Sequence, residues 1–257
     1  MRRHFFLLLL PLLGACGAGD NGQTASQASA LPEYRVFTEQ SYPPFIMHGG
    51  SETSGFEYDL LNAIAAKQGF TLNYTPHLWA GLFDTLDAGK SDILSAGITI
   101  TEARKEKMSF SEPYFETESA LLVGKDSQIK SFADMMGKKI AVKEGTSQDQ
   151  TVKQYQKGVG EPVYVATTWF TIRETMAGNT DAALGDWGVM RYYTKQHGKE
   201  YGISVVRDPK AEKELLGFAV KKDNTQLQSK LNRGLAQLKA DGSYDKIYQK
   251  WFGDAEK

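Results

Sequence analysis

Residues 95–115 read SAGITITEARKEKMSFSEPYF, and this stretch combines the end of a strand, a turn and a short charged helix. The β-like run at residues 92–96, which overlaps the start of this stretch, predicts a strand that ends at Gly97. Arg104 lies just inside the predicted helix, where the helix dipole favours an anion rather than a cation. An arginine suits this position if it holds the anion of a ligand together with the free N–H groups of the turn.

On both sides of this stretch, β-like runs alternate with helical patterns, which predicts an α/β fold with a largely parallel sheet. Strands are predicted at residues 34–39, 70–74, 92–96, 139–143, 163–166, 182–184 and 203–206. Helices are predicted at residues 56–68, 80–88, 147–156, 168–177, 187–196, 225–239 and 243–251. The β-like run at residues 120–124 is either a core strand or a crossing segment, and residues 215–220 are a second candidate crossing segment.

The first 15 residues have the pattern of an export signal and are left out of the fold. A basic start precedes an apolar run, residues 5–13, that is too short to span a bilayer. The run ends in Leu-Gly-Ala-Cys, which resembles a bacterial lipobox and predicts lipid attachment at Cys16. The alternative is an ordinary secretory signal. Residues 16–32 are rich in Gly, Ser, Ala and Gln and predict a flexible tether, so we expect a lipid-anchored protein on the periplasmic face of a membrane or on the cell surface.

Charge and cysteine content exclude several classes of protein. The chain has 30 Lys and Arg against 31 Asp and Glu, and this balance argues against a nucleic-acid-binding surface. Cys16 is the single cysteine, so an internal disulfide is excluded. The histidines are scattered, and the sequence contains no HExxH, GxSxG or P-loop motif, so we expect neither a metal site nor a cofactor.

The order of several short motifs is similar to that of the bacterial extracellular solute-binding proteins of family 3, the polar amino-acid receptors of ABC importers. The motifs are YPPF (42–45), GFEYDL (55–60), WAGL (79–82), GITITxxR (97–104), FSEPY (110–114), KKIAV (138–142), GT (145–146), DAAxxD (181–186) and ADGSYDKIYxKWFG (240–253). Each motif alone is a weak signal, but this many in the same order is a specific one.

This resemblance implies the type II periplasmic binding protein fold, an α/β fold in which two hinge segments join two lobes over a ligand cleft. Lobe 1 would comprise residues 33–121 and 218–257, and lobe 2 would comprise residues 122–217. The resemblance also implies a monomer that binds a small-molecule L-amino acid and passes it to an ABC transporter permease. Contact with the membrane would be through the lipid only.

A free amino acid presents a carboxylate, an ammonium group and a side chain, and the resemblance assigns partners to each. Arg104 would hold the carboxylate through two parallel charge-assisted hydrogen bonds. Thr99 would add a hydroxyl or a backbone N–H, and Gly97 would let the backbone approach closely. The local sequence alone favours a plainer alternative, in which Arg104 pairs with Glu102 or Glu106 on an exposed helix.

The other lobe would supply further partners. Thr146 and Ser147 lie at the start of a predicted helix, whose free N–H groups also attract an anion. Asp186 follows a predicted strand and would accept the ammonium group; the alternative is a cap for the next helix. Tyr42 and Trp79 would flank the ligand side chain as aromatic walls, although lone aromatic residues more often belong to the core.

Specificity would depend on charges at the side-chain end of the site. Glu39, at the end of the first predicted strand, suits a cationic or hydrogen-bond-donating group. Lys143 could face the same region and partly cancel that charge; the alternative is a solvated lysine. The two charges conflict as guides, so the particular amino acid stays open.

Two other functions remain open at this point. Cyclohexadienyl dehydratases resemble the same fold and need a carboxylic acid that protonates a leaving hydroxyl. Glu39, Glu144 and Asp149 are the candidate acids for that chemistry. The third possibility is a sensory or surface lipoprotein without a role in transport. An Arg104–Asp186 pair spaced for an amino acid favours the binding protein, so we do not expect an enzyme.

Overall fold

The computed structural model describes residues 30–50, 52–160 and 162–253. The strands, in chain order, are β1 (Glu33–Glu39), β2 (Ser41–Tyr42), β3 (Ile46–Gly49), β4 (Glu52–Ser54), β5 (Thr71–His77), β6 (Ile93–Ser95), β7 (Met108–Phe110), β8 (Phe115–Val123), β9 (Ile140–Lys143), β10 (Val163–Val165), β11 (Ala182–Asp186), β12 (Ser204–Val206), β13 (Lys213–Leu216) and β14 (Ala219–Lys221). The helices are α1 (Phe56–Gln68), α2 (Asp84–Asp87), α3 (Glu102–Lys105), α4 (Ser147–Gln156), α5 (Thr168–Met176), α6 (Trp187–Tyr201), α7 (Thr225–Ala240) and α8 (Ser243–Phe252), and Phe132–Met135 forms a 3-10 helix. The predicted signal peptide, the lipid site at Cys16 and the predicted tether up to residue 29 lie outside the described residues.

Helices α1 and α4 begin and end at the predicted residues. In α1, Leu60, Leu61 and Ile64 are fully buried on one face, which is the apolar stripe that a surface helix packs against its core. Helix α4 begins after Thr146, because the Thr146 side chain accepts a hydrogen bond from the backbone N–H of Asp149 and caps the first turn.

Two predicted helices differ from the structure by more than one residue. The helix predicted over residues 80–88 is reduced to α2, because the chain after Trp79 forms a turn in which the N–H of Leu82 donates to the Trp79 carbonyl. Helix α6 continues to Tyr201, beyond the predicted end at residue 196. It stops there because Gly202 adopts a left-handed conformation with φ of 63°.

Several strands also differ from the sequence-based prediction. The candidate crossing segment over residues 215–220 comprises the end of β13 and the start of β14, two strands that belong to different sheets. The short strands β2, β3, β4 and β7 were not predicted. Strands β2, β3 and β4 form a small antiparallel sheet next to Glu39, and β2 ends at Tyr42.

The main strands form two sheets. The first has the order β5-β1-β6-β14-β7, in which β1 is parallel to β5 and β6, and β14 is antiparallel to its neighbours. The second has the order β10-β9-β11-β8-β12, in which β9 is parallel to β10 and β11. Each sheet is the centre of one lobe of an α/β fold, and both lobes lie in one compact unit, Leu31–Lys257.

The two lobes are joined by strands that pair with each other. Strand β8 leads from the first sheet into the second, and β13 leads back; they are antiparallel, with Leu216 opposite Phe115. After β13 the chain returns to the first sheet through β14, and helices α7 and α8 then pack against α1. None of the helices in the described ranges combines the length and apolar character needed to cross a membrane.

Candidate functional site

The charged residues singled out by the sequence lie at the carboxyl ends of strands in both lobes. Glu39 is the last residue of β1, and Lys143 and Asp186 are the last residues of β9 and β11. Gly97 follows β6 after one further residue. Parallel strands place their carboxyl ends at the same edge of a sheet, which is where ligands bind in open α/β sheets. The facing edges of the two sheets therefore form the candidate site.

One small cavity between the lobes brings most of the predicted residues together. Its volume is about 10 Å³, roughly the space that one water molecule needs. The cavity is lined by Tyr42, Trp79, Ala96, Gly97, Thr99, Arg104, Lys143, Thr146, Ser147, Gln148 and Asp186. The remaining predicted residue, Glu39, reaches this group through its ion pair with Lys143.

Arg104 connects the two lobes. Its guanidinium donates one hydrogen bond of 2.8 Å to the carbonyl of Thr99 in lobe 1 and another of 3.3 Å to the carbonyl of Gly145 in lobe 2. It also lies over the rings of Trp79 and Phe83, at 5.4 and 5.1 Å from their centres. The exposed ion pair weighed from the local sequence is not what the side chain forms; Glu102 pairs with the neighbouring lysine instead.

The conflict between Arg104 and a helix dipole is small in the structure. Helix α3 is only four residues long, so Arg104 lies in its last turn as well as near its start. Burial lowers the pKa of Arg104 to about 10, and the nearby carboxylate of Glu214 opposes this shift. Because its hydrogen bonds to the described residues go to neutral carbonyls, this partly buried guanidinium remains able to pair with an anion.

The backbone at position 97 requires a glycine. Its φ is +60°, and a Cβ atom there would lie 2.4 Å from Cε1 of Tyr42, so any side chain would collide with that ring. The N–H of Gly97 donates to Glu57, a buried carboxylate that also accepts hydrogen bonds from Ser95 and Tyr114. Glu57 therefore fixes the turn that carries Gly97, a positioning role that the motif GFEYDL did not reveal.

Thr146 and Ser147 lie at the start of α4, as predicted, but both hydroxyls are engaged. The Thr146 hydroxyl donates to the carbonyl of Lys143 at 2.7 Å while it caps the helix. The Ser147 hydroxyl donates to Glu214 at 2.6 Å and lies 3.2 Å from the hydroxyl of Thr99. The backbone N–H groups of this first turn remain the feature that attracts an anion.

Glu214, on β13, was missed by the sequence analysis. One of its carboxylate oxygens accepts hydrogen bonds from Thr99 in lobe 1 and Ser147 in lobe 2, and the other accepts one from Ser119 on β8. The carboxylate thus connects both lobes to β8 and β13, the strands that join them. No local pattern marks it, because its partners are distant in sequence.

Asp186 is almost completely buried, with 2% of its surface exposed. It stands before α6 but makes no side-chain capping bond, and its Oδ1 has no hydrogen-bond partner among the described residues. Burial raises the pKa of Asp186 well above its usual value, and the carboxylates of Glu214 and Glu39 add to the rise. A carboxylate in this state would gain a hydrogen bond and a counter-ion from an ammonium group.

At the other end of the cavity, Glu39 and Lys143 form a buried ion pair between the lobes. The Nζ atom of Lys143 is 2.5 Å from Oε2 of Glu39, and both side chains are less than one tenth exposed. Burial raises the pKa of Glu39 and lowers the pKa of Lys143, although each partner opposes the shift of the other. Burial therefore opposes the charged form of both groups, and their mutual attraction offsets part of that cost.

Two larger grooves lie near β8 and β13, the strands that join the lobes. One, of about 580 Å³, is lined mainly by residues of β8, α6 and α8. The other, of about 480 Å³, borders Thr99 and Glu214. Neither contains the converging buried charges of the small cavity. We therefore place the candidate site at the cavity, where Arg104, Asp186 and the Glu39–Lys143 pair meet.

Comparison with known proteins agrees with this architecture. Residues 34–254 match the family described as bacterial extracellular solute-binding proteins, family 3. The chain is 32% identical over 244 residues to a probable histidine-binding protein of Neisseria gonorrhoeae, covering 93% of this chain and 90% of that protein.

Two solved structures are also similar. An ancestral arginine-binding protein bound to glutamine superposes with a TM-score of 0.81 and 38% identity, covering 86% of this chain and 98% of its own. An ancestral amino acid-binding protein, a precursor of cyclohexadienyl dehydratase, has a TM-score of 0.78 and 35% identity, with 86% and 95% coverage. The two-lobe fold expected from the sequence is thereby confirmed, and the chain belongs to the family 3 bacterial extracellular solute-binding proteins.

Proposed function

We propose that this protein is the substrate-binding lipoprotein of an ABC importer. It captures a polar or charged L-amino acid between lobe 1 (residues 33–121 and 218–257) and lobe 2 (residues 122–217) and delivers it to a membrane permease. In this proposal the protein is a monomer, anchored through a lipid on Cys16 at the periplasmic face of a membrane or at the cell surface.

The observation that carries the proposal is the arrangement of Arg104 and Asp186 around one cavity. Among the described residues, the guanidinium of Arg104 donates to one backbone carbonyl from each lobe, and a ligand carboxylate is a stronger acceptor for its fork than either carbonyl. Thr146 and Ser147, at the start of α4, line the same cavity, and the free N–H groups at the start of a helix attract an anion. These groups supply both lobes with a contact to a single carboxylate.

Asp186 supplies the opposite charge. Its buried oxygen without a partner suits the ammonium group of an α-amino acid, which is both a donor and a counter-ion. Bonds from both lobes to one ligand favour the state in which the lobes meet, and a ligand shifts that equilibrium only by its differential affinity for the two states. The names of the relatives, which are amino acid-binding proteins, agree with this assignment.

A thermal-shift panel tests the proposal. The full-length protein is purified in mild detergent, unfolded and refolded to remove carried-over ligand, and melted with each of the twenty standard amino acids, ornithine and cystine. A ligand that binds only the folded state raises the melting temperature by mass action. We expect a clear increase with one group of polar or charged amino acids. A folded protein that responds to none of them would contradict the proposal.

A cyclohexadienyl dehydratase is the second candidate, and the buried carboxyl groups favour it. Burial raises the pKa of both Glu39 and Asp186, and a protonated carboxyl is the proton donor that a dehydration needs. Of the other acids considered, Glu144 is exposed, and Asp149 already accepts hydrogen bonds from neighbouring groups. Turnover of prephenate or arogenate by the refolded protein would establish this activity, whereas binding of amino acids without turnover supports the importer.

A further inference from the structure

Lys143 lies in the part of the site where the side chain of a ligand is expected. Its ammonium group contacts Glu39, and it lies 4.5 Å from the ring centre of Trp79 and 5.0 Å from that of Tyr42. A carboxylate and two aromatic faces are the partners that a guanidinium or ammonium group of a ligand would use. In this protein a lysine of lobe 2 already uses them.

A cationic ligand side chain would have to compete with Lys143 for this position. To reach the Glu39 carboxylate it would displace the ammonium group, or bring a second positive charge beside it. Arg104 adds another positive charge near Lys143, and its Coulomb effect also opposes protonation of the lysine. Like charges held close together in a buried site repel strongly. Arginine and lysine therefore lose most of the attraction that Glu39 alone would offer.

The ion pair leaves one acceptor and spare donors at this end of the site. Oε1 of Glu39 is buried and has no hydrogen-bond partner among the described residues. The Lys143 ammonium group carries three N–H donors, and its bond to Oε2 of Glu39 uses one of them. A side-chain amide offers an NH₂ donor for the Glu39 oxygen and a carbonyl acceptor for Lys143. It satisfies both without separating the pair.

An anionic side chain fits less well. Its carboxylate would accept from Lys143 but would lie beside the unpartnered oxygen of Glu39, and two buried carboxylates at that distance repel. The carboxylates of Asp186 and Glu214 add further negative charge nearby. The pair therefore disfavours an anion as well as a cation.

We propose that Lys143 is a specificity-determining residue that excludes cationic side chains, and that the site takes an amino acid with a neutral amide side chain. This inference rests on the proposed function, because it presumes that an amino acid binds between the lobes. The matter is decided by the ligand ranking and by a variant that frees Glu39 from its ion pair.

Isothermal titration of the refolded full-length protein with glutamine, asparagine, arginine and glutamate gives the ranking. We expect an amide amino acid to bind at least tenfold more tightly than arginine or glutamate. The Lys143→Met variant keeps an unbranched apolar side chain against the Trp79 and Tyr42 rings but removes the charge. It should bind arginine at least tenfold more tightly than the wild type does, because the Glu39 carboxylate becomes available to the guanidinium.

Two further variants complete the test. Lys138→Met makes the same change at an exposed lysine of lobe 2 and should leave every affinity unchanged. The double variant Glu39→Gln/Lys143→Met should lose the gain for arginine, because it has no carboxylate to offer. It also removes both charges together, so it remains informative if the single variant folds poorly.

The outcomes separate the inference from the proposed function. A wild-type protein that prefers arginine tenfold over both amides overturns the inference alone, since an amino acid still binds. The same follows if Lys143→Met leaves arginine affinity unchanged. If the wild type and all variants fold but bind no amino acid, the proposed function is overturned, and the inference with it.

Discussion

The two ends of the cavity join the lobes by different means. At one end Arg104 bonds to neutral backbone carbonyls from both lobes. At the other end Glu39 and Lys143 neutralise each other across the same boundary. Every chain offers backbone carbonyls, and a ligand carboxylate replaces them without leaving a charge unpaired. The ion pair is different, because breaking it exposes two buried charges. The first end therefore suits a group that all amino acids share, and the second suits discrimination among side chains.

The largest expected effect tests the end of the cavity at Arg104, which we call the shared end because it suits a group that all amino acids have. Arg104→Ala should weaken binding of every amino acid about 100-fold, because truncating the charged partner leaves the ligand carboxylate unpaired between the lobes. Titration calorimetry measures this loss, and Arg233→Ala, at an exposed arginine of α7, is the control. If the folded Arg104→Ala variant bound as the wild type does, the cavity would not be the carboxylate site.

The next effect tests the ion pair through stability. Glu39→Gln should lower the free energy of unfolding by about 3 kcal/mol, because it leaves Lys143 as a buried charge without its counter-ion. Glu39→Gln/Lys143→Met should regain most of this loss, since it removes both charges. Urea unfolding gives the three values. A double variant no more stable than the single one would show that the unpaired charge of Lys143 is not the cause of the loss.

Asp186 belongs to the shared end, and its replacement should have opposite effects on stability and binding. Asp186→Asn should raise the stability of the ligand-free protein at pH 7 by about 2 kcal/mol, because it removes a buried charge, and should weaken amino-acid binding. The wild-type carboxyl has a raised pKa, so its contribution to stability is complete below the unfolded-state pKa of about 3.9 and is lost as the pH rises through the folded-state pKa.

The advantage of Asp186→Asn should therefore shrink as the pH falls toward 3.9. Urea unfolding of the wild type and the variant across the acidic range measures this trend. An advantage that is the same at every pH would mean that the pKa of Asp186 does not differ between the folded and unfolded states.

The smallest effect concerns Glu214, which serves both ends by tying the lobes to the crossing strands. Glu214→Gln keeps one carbonyl acceptor but replaces the second oxygen by a donor, so at least one of the three hydroxyl bonds is lost. We expect a loss of about 1 kcal/mol in the free energy of unfolding and a severalfold loss of affinity for all ligands alike. Glu212→Gln, at an exposed position on the same segment, is the control. A change in ligand ranking would contradict a purely positional role.

The sequence predicted well those features that depend on local pattern. The bounds of α1 follow from the spacing of Leu60, Leu61 and Ile64, and the start of α4 follows from the Thr146 cap. The placement of Asp186 at the end of a strand followed from an apolar run, which is also a local signal. Short strands such as β2 escaped prediction, because two residues are too few to show an alternation.

Features that depend on both lobes could not be predicted in this way. Glu39 and Lys143 were each considered, but their pairing joins residues 104 positions apart in the chain. Glu214 has partners on three other segments, and nothing near it in sequence indicates that they converge. In both cases the decisive information is which strand ends face each other, and a single sequence does not contain it.

The pairing of β8 with β13 determines at which positions a rotation of the lobes would change the distance between two labels. The two strands lie side by side from Lys213 opposite Glu118 to Leu216 opposite Phe115, so the lobes share a short ribbon with a fixed backbone length. Any rotation of one lobe relative to the other would therefore take place about this ribbon. Spin labels placed beside it would keep nearly the same separation during any rotation of the lobes. Labels at the far edges of the two sheets lie farther from the rotation axis, so the same rotation would change their separation much more.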